Sequence, residues 1–212
     1  MRSNLATIAI LLLAAACASS VGSGAGDAPE PAANTDPAAV TPEYVASLPR
    51  RQAKAAVDLL VDRYLDLAIG RCPVRTDACL NEQFEASFDQ TGELAALCKV
   101  NGLGSEYQLC LMTAPETVPM VTAIGGDPAT DVDWSDLDST NNVARKQFAE
   151  FIIHKKCGSD RRCLVDQAAT LLGLSPAVAK SCQAHEALSD RLDCISDAKS
   201  AEVYQRAIAT LS

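Results

Sequence analysis

The chain has 212 residues, a formal net charge of -9 and a pI near 4.7, so it lacks the basic face that sequence-independent nucleic-acid binding requires. Hydrophobic residues at 48% and charged residues at 21% are an ordinary globular balance, enough for one domain or two small ones.

Residues 1–16, MRSNLATIAILLLAAA, carry one basic residue, Arg2, an apolar run from Leu5 to Leu13, and small residues at Ala14, Ala15 and Ala16. This pattern predicts a secretory signal peptide, too short to be a good transmembrane helix. Leu13, Ala14, Ala15 and Ala16 before Cys17 resemble the lipobox of bacterial lipoproteins, with Ala14 standing where that family prefers leucine. The resemblance implies that Cys17 becomes the lipidated first residue of the mature chain. It also implies a place on the periplasmic side of the cell envelope, leaning to the outer membrane, because Ala18 and Ser19 replace the aspartate that holds many such proteins in the inner membrane. Ordinary signal-peptidase cleavage and release into the periplasm is the other reading. Cysteine arithmetic favours the anchor: nine cysteines are odd for an exported chain, and setting Cys17 aside leaves eight that can all pair. Residues 17–46 are rich in Ala, Gly, Ser and Pro without apolar periodicity, which predicts a flexible tether.

The remaining cysteines fall into two frames: Cys72, Cys79, Cys98 and Cys110, then Cys157, Cys163, Cys182 and Cys194. Adding 84 to the last three of the first frame gives the last three of the second, and only the first spacing differs, by one residue in a polar stretch. The same shift pairs Leu80 with Leu164 and Gln83 with Gln167, and it pairs the expected helix caps Thr91 with Ser175 and Ser105 with Ser189. We read this as an internal repeat. The fold class is therefore all-α: two tandem, four-helix, disulfide-stapled units, residues 47–114 and 140–212, joined by an acidic Pro/Gly linker over 115–139.

Taken in chain order, apolar spacing predicts helices over Pro49–Arg71, Asp77–Phe88 and Gly92–Val100, with a fourth starting at Glu106. The second unit repeats them over Asn141–Lys156, Asp160–Leu172 and Pro176–Glu186, with a last helix from Asp190. Ser105 and Gln108 have capping-box spacing. If the second and third helices of each unit form a hairpin, the pairing is nested: Cys72 with Cys110, Cys79 with Cys98, Cys157 with Cys194, Cys163 with Cys182. Pairing of neighbours, Cys72 with Cys79 and Cys98 with Cys110, is the competing pattern. A unit this small has a marginal core, and closing a loop of about 20 residues adds roughly 3 kcal/mol per disulfide in the chain-entropy model, so staples are expected without any catalytic purpose.

Signatures of catalysis are missing from the sequence. No Cys-x-x-Cys occurs, and HEALS at His185 places Ser189 where a zinc-protease helix needs its second histidine. Asp127, Asp131, Asp133, Asp136 and Asp138 alternate as calcium ligands do, but the glycine and glutamate of an EF-hand loop are absent. No catalytic residue, metal ligand or cofactor is therefore assigned. The positions where the two frames differ are the candidates for partner contacts: His154, Lys155, Lys156, Arg161, Arg162, His185 and the single tryptophan, Trp134, whose ring either pins the linker or meets a partner. The expectation is an exported, lipid-anchored envelope protein acting as a non-catalytic binding or structural module on an envelope partner, attached to the membrane through Cys17 and not binding nucleic acid. Inhibition of an extracytoplasmic hydrolase is the alternative, and a periplasmic enzyme or thiol-redox protein using His154, His185 or a labile cysteine pair is the second.

Overall fold

Ala53, Ala56, Leu60, Tyr64 and Ala68 recur every three to four residues, and all five are buried, so one stripe of this long helix faces a core. The computed structural model describes residues 36–89 and 91–212, and all regular structure among them is helical. After a short 3-10 turn at Pro37–Ala39 come α1 (Pro42–Ala46), α2 (Arg50–Gly70), α3 (Asp77–Phe88), α4 (Glu93–Cys98, tightening to a 3-10 turn over Lys99–Asn101) and α5 (Ser105–Ala123). Then follow α6 (Leu137–Ile152, widening to a π turn over Ile153–Cys157), α7 (Arg161–Leu171), α8 (Pro176–Cys182) and α9 (Leu188–Leu211).

Sequence chemistry explains the helix starts. Thr76 Oγ1 accepts from the Cys79 amide at 3.3 Å and caps α3, and Asp160 Oδ1, 84 residues later, accepts from the Arg162 and Cys163 amides at 2.9 and 3.2 Å and caps α7. Ser175 caps α8 as expected, through the Val178 amide. The cap expected at Thr91 is shared with Asp89: Thr91 Oγ1 accepts from the Glu93 amide at 3.4 Å, and the Asp89 carboxylate accepts from the Gly92 and Ala95 amides at 2.9 and 2.6 Å. Ser105 and Ser189 lie inside α5 and α9, and no side chain caps either helix; Gln108 bonds Asn81 instead of closing a capping box.

In α2 and α6 the buried positions keep the shift of 84: Leu137, Thr140, Ala144, Phe148 and Ile152 match the five residues named above. Past Ile152 the helix takes one extra residue, and the Gly158 amide donates to Ile153 O at 2.8 Å across the wider turn. The one-residue shortening of the loop before Cys163 is thus offset by a one-residue insertion in the preceding helix.

The two cores share their helices. The first is built from α2 to α5 with Val40, Val45, Trp134 and the C-terminal half of α9, including Ala201, Tyr204, Ala207 and Leu211. The second holds Phe148, Ile152, Val165, Ala168, Val178 and Ile195 together with Ala46 from α1 and Met120 from α5. Each fourth helix therefore begins in its own frame and ends in the other's core, and α9 packs along α2.

Several expectations change. Cys17 and the signal segment lie outside the described residues, but the expected tether does not extend to residue 46: Val40 and Val45 are fully buried and α1 is seated against α9. The expected linker is helical up to Ala123, because Thr117, Met120 and Val121 continue the buried stripe of α5 through Pro115 and Pro119. The nested pairing is wrong. The bonds are Cys72–Cys79, Cys98–Cys110, Cys157–Cys163 and Cys182–Cys194, with Cα separations of 5.9, 5.6, 5.5 and 5.6 Å. Each cysteine near the end of one helix meets a cysteine in the first turns of the next, so the staples hold turns rather than tying helix one to helix four. Closing 6 to 12 residues contributes about 2–3 kcal/mol each in the chain-entropy model.

Candidate functional site

The π turn and the start of α7 form one corner around the Cys157–Cys163 bond. His154, Lys155 and Lys156 are exposed on the π turn, and Arg161 and Arg162 are exposed in the first turn of α7. Cations in a helix's last turn complement its negative end, which accounts for the lysines. The arginines sit at the opposite, positive end of α7, where the helix field opposes them, so helix stability does not explain their presence. None of the five makes an ion pair among the described residues. In a chain of charge -9 this corner gathers four cations and His154, with Asp160 the one acid between Lys156 and Arg161.

His154 also lines an open groove with Asp131, Glu150, Phe151 and Val121, but no hydrogen bond joins its ring to either carboxylate. His185 is half-buried at the far end of α8, and its backbone carbonyl, not its ring, accepts from Arg191 Nε at 2.6 Å. The two histidines are therefore not brought together. Trp134 is 4% exposed, and its ring N–H donates to Pro128 O at 2.8 Å while its own carbonyl accepts from Asn101. It pins the joint onto the first core with its ring buried. The acidic run is used locally: Asp131 accepts from the Asp127 amide, Asp133 from Ser135 and Asp136 from the Ser139 amide at the start of α6. The Ser135 hydroxyl and amide hold the Asp133 carboxyl below its ordinary range.

A second constellation, not legible as a motif, lies where α5, α6 and α9 meet. Glu116 accepts from the Ser200 hydroxyl and, at 3.5 Å, from Arg145 Nη2, while Arg145 Nε is buried without a partner among the described residues. Glu116 and Ser200 are 84 residues apart, and they touch. One turn before Ser200, burial pushes the Asp197 carboxyl up to about 6; Asp193 and Glu116 push the same way and Arg145 and Arg50 oppose them. Arg50 Nη2 lies 2.6 Å from Asp193, and Lys199 Nζ lies 3.0 Å from Glu202. Each of these residues is ordinary in isolation. The only sequence signal for them was the shift of 84, which sets charged and polar residues here against different types in the first frame. No family model, no curated protein and no solved structure matches this chain.

Proposed function

We propose that this chain is an exported bacterial cell-envelope protein, anchored through a lipid on Cys17, that acts as a non-catalytic binding module. It is built from two copies of one disulfide-stapled helical frame. The observation that carries the reading is the cysteine inventory: all eight cysteines of the described residues are disulfide-bonded, which suits an oxidising compartment and leaves Cys17 as the odd one. The duplication is supported by the starts of α3, α4 and α5, which recur in α7, α8 and α9 within one residue of an 84-residue shift, by the matched caps Thr76 and Asp160, and by the contact of the equivalent residues Glu116 and Ser200. A binding role is supported by the unpaired cations Lys155, Lys156, Arg161 and Arg162 on one corner, which suit an acidic envelope partner.

The test is fractionation of cells expressing the full chain and its Cys17→Ser variant, with the mature N-terminus read by mass spectrometry. The native chain should enter the outer-membrane fraction with a diacylglyceryl mass on Cys17, and the variant should become soluble in the periplasm. A variant that still sediments with membranes overturns the anchor. In the same cells, a charge-reversed corner, with glutamate at positions 155, 156, 161 and 162, should lose the crosslinked partner that the native chain captures; an unchanged crosslink removes that corner as the contact.

A further inference from the structure

We propose that the cavity lined by α5, α6, α7 and α9 is a binding site for a small carboxylate with a single aromatic ring as its body, the carboxylate being held by Arg145. The cavity has a volume of about 240 Å³ and a mostly apolar wall that includes Met120, Phe148, Ala168, Leu172 and Ile195. An apolar cavity of about 150 Å³ is enough to admit benzene, so this one holds a ring and a short chain.

Comparison with the first core explains why the space is there and why its occupant is a ring. Tyr64, Phe84 and Phe88 stand 84 residues before Phe148, Ala168 and Leu172, and Tyr204 stands 84 after Met120. Those four rings pack mainly edge to face, Tyr64 at 4.8 Å from Phe88, 5.3 Å from Phe84 and 6.1 Å from Tyr204, at the centre of the first core. The second core uses the same helix arrangement and keeps one ring of the four, Phe148. Ala, Leu and Met occupy the other positions and leave ring-sized room beside it. A ligand ring restores the missing edge-to-face partner.

The polar end of the cavity selects a carboxylate. Of the charged groups in its lining, Asp193 already meets Arg50, Lys199 meets Glu202, Lys146 lies 4.0 Å from Glu150, and Glu116 accepts from Ser200. Arg145 is different: its side chain lines the cavity and is 40% exposed, and its contact with Glu116 at 3.5 Å engages one nitrogen of the fork, so the guanidinium keeps donors to offer. A carboxylate is an acceptor-only group whose two oxygens suit a guanidinium fork, whereas an amine offers those donors nothing. The position 84 residues before Arg145 is Val61, so the cation accompanies the emptied core and not the filled one. This site extends the binding role proposed above and does not depend on the anchor.

The experiment is calorimetric titration of the full, oxidised chain with phenylpropionate and with phenylpropanol, which shares the ring and chain but carries no charge. Phenylpropionate should bind about 10-fold or more tightly than the alcohol. Arg145→Gln should erase that difference while leaving alcohol binding as it was. Ala168→Phe, which places the first core's residue in the cavity, should abolish binding of both, with helicity unchanged by circular dichroism; Leu172→Phe serves the same purpose if the first variant does not fold. Equal affinity for acid and alcohol in the native chain overturns the carboxylate assignment, and undiminished binding in a folded cavity-filling variant, or no saturable binding of either probe, overturns the site. None of these results bears on the Cys17 fractionation, so the two readings fail separately.

Discussion

The core under α2 and α3 is closed by Tyr64, Phe84, Phe88 and Tyr204, whereas the core under α6 and α7 has Phe148, Ala168, Leu172 and Met120 at the matching places. The disulfides around both have the same layout, a short one across the first turn and one of 12-residue separation later. Staples of this kind restrain the turns and leave the interior free to change: four rings meet in one half, and the other keeps one of them beside an apolar cavity. The corners differ as well. The turn after α2 exposes Val74 at 71% beside Arg71 and Arg75, whereas the matching turn after α6 exposes His154, Lys155, Lys156, Arg161 and Arg162.

The most severe way to break this comparison is to hollow the filled core. Phe84 is 3% exposed and touches Tyr64, so Phe84→Ala should cost about 3–5 kcal/mol, read from the denaturant midpoint. Ala168→Phe, the reverse exchange at the matching place, should leave the midpoint unchanged or raise it, because the ring enters existing space. Ala168→Phe costing as much as Phe84→Ala would mean that the second core is closed by relaxation and that the halves are equally packed.

How much of this was legible in the sequence divides along physical lines. Helix existence and spacing were readable because burial imposes a period of 3.6, and α2, α3 and α7 begin or end within a residue or so of expectation. The end of α5 was not, since Pro115 and Pro119 read as breaks while Thr117, Met120 and Val121 kept the buried stripe going. The disulfide pairing failed because it rested on a hairpin between the second and third helices, and helix adjacency is a tertiary fact that spacing does not carry. The basic corner was visible as residue types, but the π turn that exposes half of it needed coordinates. The cavity was encoded in the aligned core residues Phe84 and Ala168, and only the knowledge that those positions face inward gave the difference meaning.

A smaller effect distinguishes the halves electrostatically. The position 84 before Asp197 is Thr113, so the second half alone carries an acid at this place, surrounded by Asp193 on its own helix, Glu116 of α5, Arg145 of α6 and Arg50 of α2. The folded carboxyl titrates near 6, above its unfolded value of about 3.9, so its stabilising contribution is complete below about 4 and is lost as pH rises through 6. Asp197→Asn should therefore be more stable than the native chain at pH 7, by about 1–2 kcal/mol after allowance for partial solvation, with the gain fading as pH falls from 6 to 4. Urea midpoints of both chains across that range check the sign. A variant less stable at pH 7 would mean that Arg145 and Arg50 outweigh burial.

The smallest effect concerns a place where the two long helices differ by a hydroxyl and a methyl group. Thr117 and its match Ala201 are both fully buried, and Thr117 Oγ1 has no hydrogen-bond partner among the described residues. A buried hydroxyl without a partner loses its hydration for no return, and valine has nearly the same shape without that cost. Thr117→Val should raise stability by about 1 kcal/mol, while Ala201→Thr should lower it by at least as much because it adds both a hydroxyl and volume to the filled core. The urea midpoints of the two variants decide the matter. If Thr117→Val is destabilising, the hydroxyl is satisfied in solution by a water or by a rotamer reaching a carbonyl of α5, and the second core is wetter at its α5 side than the first.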